Sequence, residues 1–324
     1  MAQKFELALD LPELAMVEEE LYKVIADSDG PAREVCLYAL QSGGKRLRPT
    51  LVLLAGRCFN EKNLPKEIIP AAVAAELIHL ASLIHDDIID NSEMRHGQQS
   101  VNSRWNNKIA VLAGDNLFAK AFKVLAQNRL FDILELMVEA IEDMCSGEIE
   151  QAMDSFNPEQ EEESYYRKIS KKTAKLLAVC CQAGSLVSSE GRGYAQNLRE
   201  FGLNLGYAFQ ITDDILDLTG QKKKLGKPTG LDLAQGTLTL PMLNLLKNPA
   251  YGNWFKTILL EQKNSVEVIE ELKKVITESG ALQYALEKAK AYTQAAIACL
   301  ESLPANRSKE TLSTLALKIV ERTY

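Results

Sequence analysis

Between Pro70 and Pro158, and again between Pro158 and Pro228, the chain has no proline, although ten occur in its 324 residues. Proline is tolerated in loops and in the first turn of a helix. In a helix interior it removes a hydrogen bond and clashes with the turn before it. Proline-free stretches of this length admit long helices, and glycine is sparse in them too. Their apolar residues recur at intervals of three and four rather than alternating, which is the helical period. The run "IPAAVAAELIHLASLIHDDIID" is rich in alanine and leucine, with Pro70 placed for a first turn. No strand-and-hairpin pattern stands out. Breaks are expected at residues 26–31, 42–44, 60–65, 97–107, 156–163, 247–253 and 303–308. Nothing separates two blocks of composition, so the expectation is one all-α domain over residues 1–324.

A chain that is 46% hydrophobic and 25% charged can bury a large core. Its formal charge of −7 argues against nucleic acid as a partner. The six cysteines show no metal or redox spacing. Together with the acidic start "MAQKFELALDLPEL", which lacks a signal-peptide pattern, they are expected to be reduced thiols in the cytoplasm. No apolar run is read as approaching the ~20 residues of a transmembrane helix.

Two acidic triplets share one spacing: Asp86, Asp87 and Asp90 in "LIHDDIID", and Asp213, Asp214 and Asp217 in "QITDDILD". Helix positions i, i+3 and i+4 are surface neighbours, so each triplet is expected to project together. Carboxylates that close repel one another and raise one another's pKa unless a cation joins them. Mg²⁺ suits the arrangement, because it takes oxygen ligands and shares itself between carboxylates and a substrate's phosphates. Either triplet alone reads equally as a solvated helix end. Two copies, each after an apolar helical run, favour metal ions bridging to a diphosphate.

A diphosphate also needs cations. "GGKRLRP" supplies Lys45, Arg46 and Arg48 behind two glycines that let backbone approach an anion. Arg95 and the pair Lys172–Thr173 are further candidates. All three histidines, His79, His85 and His96, surround the first triplet. His79 lies two turns before Asp86 and shares its face. His79 and His96 are read as functional, and His85 as a residue that packs or supports the ligand residues.

These motifs, in this order, resemble the trans-isoprenyl (all-E polyprenyl) diphosphate synthases. The likeness runs from about residue 20 to about residue 245. It rests on GGKRLRP, LIHDDIID with a following arginine and glycine, GDNLFA, GEIEQ, KKTA, YAFQITDDILD, LGKPTGLD and TLP. "ELIHLASLIHDDIIDNSEMRHG" is most similar to the long-chain bacterial type, including the large subunit of hexaprenyl and heptaprenyl enzymes. The resemblance implies mostly antiparallel helices around a deep central cavity, assembled as a homodimer or with a small partner subunit. It implies head-to-tail condensation of isopentenyl diphosphate with an allylic diphosphate, dependent on three Mg²⁺ ions. Asp86, Asp90 and Asp213 would be the direct metal ligands, supported by Asp87, Asp214 and Asp217. Lys45, Arg48 and His79 match the isopentenyl diphosphate site. Arg95, Lys172, Thr173, Gln210 and Lys227 match the allylic diphosphate and transition-state contacts.

Two positions depart from the family pattern. His96 stands where a second arginine is usual, and Thr237 where a lysine is common. A bound diphosphate would favour a protonated His96, whereas Lys222 to Lys224 could compensate for Thr237. The departures leave open a regulatory partner subunit. A terpene cyclase is the other alternative, but it would need neither the Lys45–Arg48 site nor a second complete triplet. The lysine-rich stretch from Gly220 to Thr237 is expected to close over bound diphosphates. Ala81 and Ser82 occupy positions where short-chain members place an aromatic that blocks the growing tail. Small residues there, with Phe118 and Phe122 as a deeper floor, point to a product of hexaprenyl to octaprenyl length.

Overall fold

A computed structural model describes residues 11–61, 64–219, 230–263 and 265–321. Three helices lead in: α1 (Pro12–Ala26), α2 (Gly30–Gln41) and α3 (Leu47–Arg57). Pro12 and Pro31 sit in the first turns of α1 and α2, where no intrahelical partner is lost. The first proline-free stretch then folds as α4 (Ile68–Ile89), a hairpin of β1 (Met94–Arg95) and β2 (Gln98–Gln99), α5 (Val101–Arg104), α6 (Asn107–Gln127) and α7 (Phe131–Met153). The second contains α8 (Glu162–Ile169), a π-helical turn at Ser170–Ala174, α9 (Lys175–Val187) and α10 (Ala195–Thr219). Six more follow among the described residues: α11 (Leu231–Ala234), α12 (Leu240–Leu246), α13 (Gly252–Leu260), α14 (Val266–Glu278), α15 (Ala281–Cys299) and α16 (Arg307–Glu321). The chain is all-α apart from that hairpin among the described residues.

The hairpin corrects the expectation of no strands. Its strands are too short to show an alternating pattern, and the usable signal was the dipeptide His96–Gly97. Both residues have positive φ, 51° and 83°, as a type I′ two-residue turn demands. Among the described residues, breaks beyond those expected occur at 128–130, 188–194, 261–263 and 279–280. None contains a proline. The first is carried by Arg129, left-handed at φ 57°.

Helix α4 corrects another expectation. It is long and apolar enough to cross a membrane, with a mean hydropathy of 1.7 over its best window. Two-thirds of that window (67%) is buried within the protein, so by packing it is a core helix.

The buried side chains form two clusters. One joins α1–α4, α6, α7, α9, the first half of α10 and α16. The other joins α8, the second half of α10 and α11–α15. Of the helical segments that contribute to both clusters, α10 and the α8–α9 segment bear on the site. On α10, Leu205 and Ala208 face the first cluster, and Ile211 and Ile215 the second. On the α8–α9 segment, Tyr165 and Ile169 face the second, and Leu176 and Leu177 the first. The π turn supplies that change of face, because its extra residue rotates α9 relative to α8.

Candidate functional site

The crossing point is where the sequence-predicted residues gather. A Cβ on Gly206 would stand 2.3 Å from the Ala174 Cα, so only glycine lets α10 meet the π turn so closely. One turn on, Gln210 Oε1 accepts the Thr173 hydroxyl at 2.7 Å. Lys172, beside it, pairs with Glu148 and donates to Gln151 Oε1 at 3.0 Å, both on α7. We expect Gly206→Ala to push the π turn off Gln210 and to cost about 1–3 kcal/mol of stability. Gly193→Ala, whose added carbon meets nothing within 4 Å, should be nearly neutral. Denaturant melts of the two variants check this.

Asp86 and Asp90 share one face at the end of α4. Burial pushes Asp86 up to about 7, with Glu148 and Asp90 adding to it and Lys172 and Arg95 opposing. Asp90 is also raised, first by burial and then by Glu148. Glu148 therefore belongs to this acidic group, a role that its motif GEIEQ does not disclose in sequence. The folded chain keeps the Asp86 proton at pH values where an ordinary aspartate, near 3.8, has lost it. This group's contribution to stability thus grows as pH falls from about 7 toward 3.8. Asp86→Asn should therefore melt above wild type in chelator at pH ~8, with the gap closing toward pH ~4.

Three of the aspartates already have partners within the protein. Asp87 is buried and turned toward the hairpin. There Arg95 grips it through Nε, 3.0 Å from Oδ1 and 3.2 Å from Oδ2, and through Nη2. Successive helix residues differ by 100°, so Asp87 cannot share the face of Asp86. Asp214 is buried, accepting from the Tyr165 hydroxyl at 2.7 Å and from Gln210 Nε2 at 2.9 Å. Burial pushes it up to about 6 against those two hydrogen bonds. Asp217 accepts the backbone N–H groups of Leu231 and Asp232, each at 3.3 Å, and so starts α11. Asp232, unassigned from sequence, is held well above the carboxylate range by burial and by Asp214 and Asp217. Among the described residues, no three His, Cys, Asp or Glu side chains form a metal cage by themselves.

The basic residues form a second pole. Arg48 is half-buried, its desolvation depresses its pKa, and it feels both Glu76 and Asp213. His79 is held well below the imidazole range by burial first, then by the positive charges of Arg48, Arg95 and Arg46, with His96 adding least. Arg46 is committed elsewhere, to Glu18 and to Glu76 Oε1 at 3.0 Å, and its left-handed backbone (φ 50°) starts α3. Lys45 and His96 are exposed, His96 at the hairpin tip. Thr237 is buried, its N–H on the Asp232 carbonyl at 2.8 Å.

His85 packs against α6. Its ring sits over Gly114, where a Cβ would meet Nε2 at 2.2 Å, and Nε2 donates to the Val111 carbonyl at 3.1 Å. Phe118 meets that ring edge-on at 5.8 Å and stacks on Phe122 at 6.5 Å. Ala81 is fully buried, and the Ser82 hydroxyl donates to the His79 carbonyl at 2.9 Å. Lys227 and Lys222 to Lys224 lie outside the described residues, and with them residues 220–229 of the expected closing segment.

A model of the polyprenyl synthetase family matches residues 31–276. Heptaprenyl diphosphate synthase component 2 of Bacillus subtilis is 38% identical, over 99% of this chain and 92% of its own length. The crystal structure of heptaprenyl diphosphate synthase from Staphylococcus aureus superposes with a TM-score of 0.89 at 34% identity, covering 96% of this chain and 98% of that one. A polyprenyl synthase from Caulobacter crescentus, solved with calcium and isoprenyl diphosphate, gives 0.88 at 32% identity, covering 96% and 97%.

Proposed function

The chain belongs to the polyprenyl synthetase family and is a prenyltransferase with the isoprenoid synthase fold, and from that premise we propose that it elongates an allylic diphosphate with isopentenyl diphosphate to a long-chain all-E polyprenyl diphosphate. The observation that carries this reading is the position of Arg48. It lies within the electrostatic reach of His79 and of Asp213 on α10, so an anion-binding pole and an acidic pole adjoin.

Lys45, Arg48 and His79 bind the isopentenyl diphosphate. Arg95, fixed by Asp87, and Lys172, fixed by Glu148 and Gln151, hold the allylic diphosphate. The allylic C–O bond breaks with its electron pair on the diphosphate. Thr173 and Gln210 line the charge that develops on carbon. The alkene of isopentenyl diphosphate then forms the new C–C bond, and a proton leaves to the released diphosphate. The family is generally Mg²⁺-dependent, and the chain's own charges fit: burial and crowding raise Asp86 and Asp90, a strain that a cation relieves. Asp86, Asp90 and Asp213 would hold the metal, three ions in all, and it supplies neutralisation of the diphosphate charge.

Product length in the hexaprenyl-to-octaprenyl range is supported by the small residues Ala81 and Ser82, and by the relatives' names. Exposed apolar side chains on α6 and α7 (Val111, Leu112, Phe131, Val138, Ile149 and Met153) support a dimer of this chain. A relative named as a component supports the second reading, a heteromer with a smaller chain. Six free cysteines suit the cytoplasm. The test is incubation with isopentenyl diphosphate, farnesyl diphosphate and Mg²⁺, then chromatography of the dephosphorylated products. Elongated prenols are expected. No turnover by the purified chain favours the heteromer, and a cyclised hydrocarbon defeats the reading.

A further inference from the structure

Asp214 accepts two hydrogen bonds, from the Tyr165 hydroxyl on Oδ2 (2.7 Å) and from the Gln210 amide on Oδ1 (2.9 Å). An ionised carboxylate has nothing to donate, so the Gln210 group facing it must be the NH₂. The amide oxygen is thereby turned to Thr173, whose hydroxyl donates to it at 2.7 Å. The order Tyr165, Asp214, Gln210, Thr173 settles each proton along the chain, and Thr173 presents lone pairs elsewhere. With the amide reversed, nitrogen would face Thr173 and its proton would be released to point another way. Tyr165, at the start of the chain, is 1% exposed. Its ring is set by Tyr166, edge-on at 5.5 Å, and by the Lys168 ammonium at 5.8 Å.

We propose that Tyr165 is a positioning residue for allylic ionisation: by holding Asp214 in one orientation, it sets the amide direction of Gln210 and the hydroxyl direction of Thr173. It acts through these residues, and the assignment rests on the prenyl-transfer reading above.

The test is a double-mutant cycle of Tyr165→Phe with Thr173→Val, read as kcat and as KM for each diphosphate. Tyr165→Phe alone should lower kcat by about 10–100-fold, as loss of an orienting partner commonly does, with both KM values unchanged. In the Thr173→Val background the same substitution should have no further effect. A normal kcat, a change confined to KM, or the same fold-loss in both backgrounds would overturn the proposal. If Tyr165→Phe does not fold, Asp214→Asn takes its place, since its NH₂ can donate to Gln210 and reverse the amide. Its loss must then depend on Thr173 in the same way, and independence overturns the proposal. Wild type that makes no elongated product sinks the functional reading, and this inference with it. Elongating wild type with uncoupled variants sinks the inference alone.

Discussion

Asp86→Ala, Asp90→Ala and Asp213→Ala should each reduce turnover by at least about 10²–10³-fold, the usual loss on removal of one preorganised electrostatic contact. Folding should survive all three. Asp86 and Asp90 are raised by burial, so in metal-free protein their charges oppose the fold. A residue that costs stability where it stands is there for a ligand. Asp87 is predicted to differ in kind, because its carboxylate is spent on Arg95. Its loss should release Arg95 and raise the KM for the allylic substrate, more than it alters the metal dependence. Single-turnover rates at saturating Mg²⁺, beside circular dichroism melts, separate the cases. Near-normal rates for Asp86→Ala, Asp90→Ala or Asp213→Ala would defeat the assignment.

Ser82→Phe should shift the products from long chains to farnesyl and geranylgeranyl length. Ser82 lies one turn before Asp86, about 6 Å along the axis. It is only partly buried, so an aromatic ring there has space to project. Sequence alone groups Ala81 with it, and the structure divides the pair. Ala81 is 0% exposed within the α4 packing, so Ala81→Phe overfills the core and should cost about 1–3 kcal/mol. Phe118→Ala probes the floor on the side of His85. Longer prenols place the floor at that seam, and an unchanged length places it elsewhere. If wild type itself stops at geranylgeranyl length, the open-floor argument fails.

The sequence made the helices legible because two long proline-free stretches and a period near 3.6 leave little choice. Both acidic motifs were legible because their spacing is unusual. The roles within a triplet were not, since Asp87, Asp214 and Asp217 are told apart by partners contributed from elsewhere: Arg95 from a hairpin, Tyr165 from α8, and backbone amides from α11. Arg46 looked like Arg48 in "KRLR", and only Glu18 and Glu76 show that it is structural. The hairpin left one trace, a His–Gly dipeptide. Glu148, Asp232 and Tyr165 carried no local signal, because burial beside other charges is their distinguishing mark. Asp232 does come after a glycine turn in "GLD".

The π turn at Ser170–Ala174 puts the two halves of one continuous helical segment out of phase, so that α8 serves one cluster of core residues and α9 the other. Residue number there is thereby under a constraint distinct from residue identity. Deleting one position would restore an uninterrupted α-helix and turn α8 by about 100° relative to α9, carrying Tyr165 away from Asp214 and Lys172 away from Glu148. The segment can vary in composition along most of its surface, yet its length is fixed to the residue, and insertions and deletions are tolerated only beyond its ends.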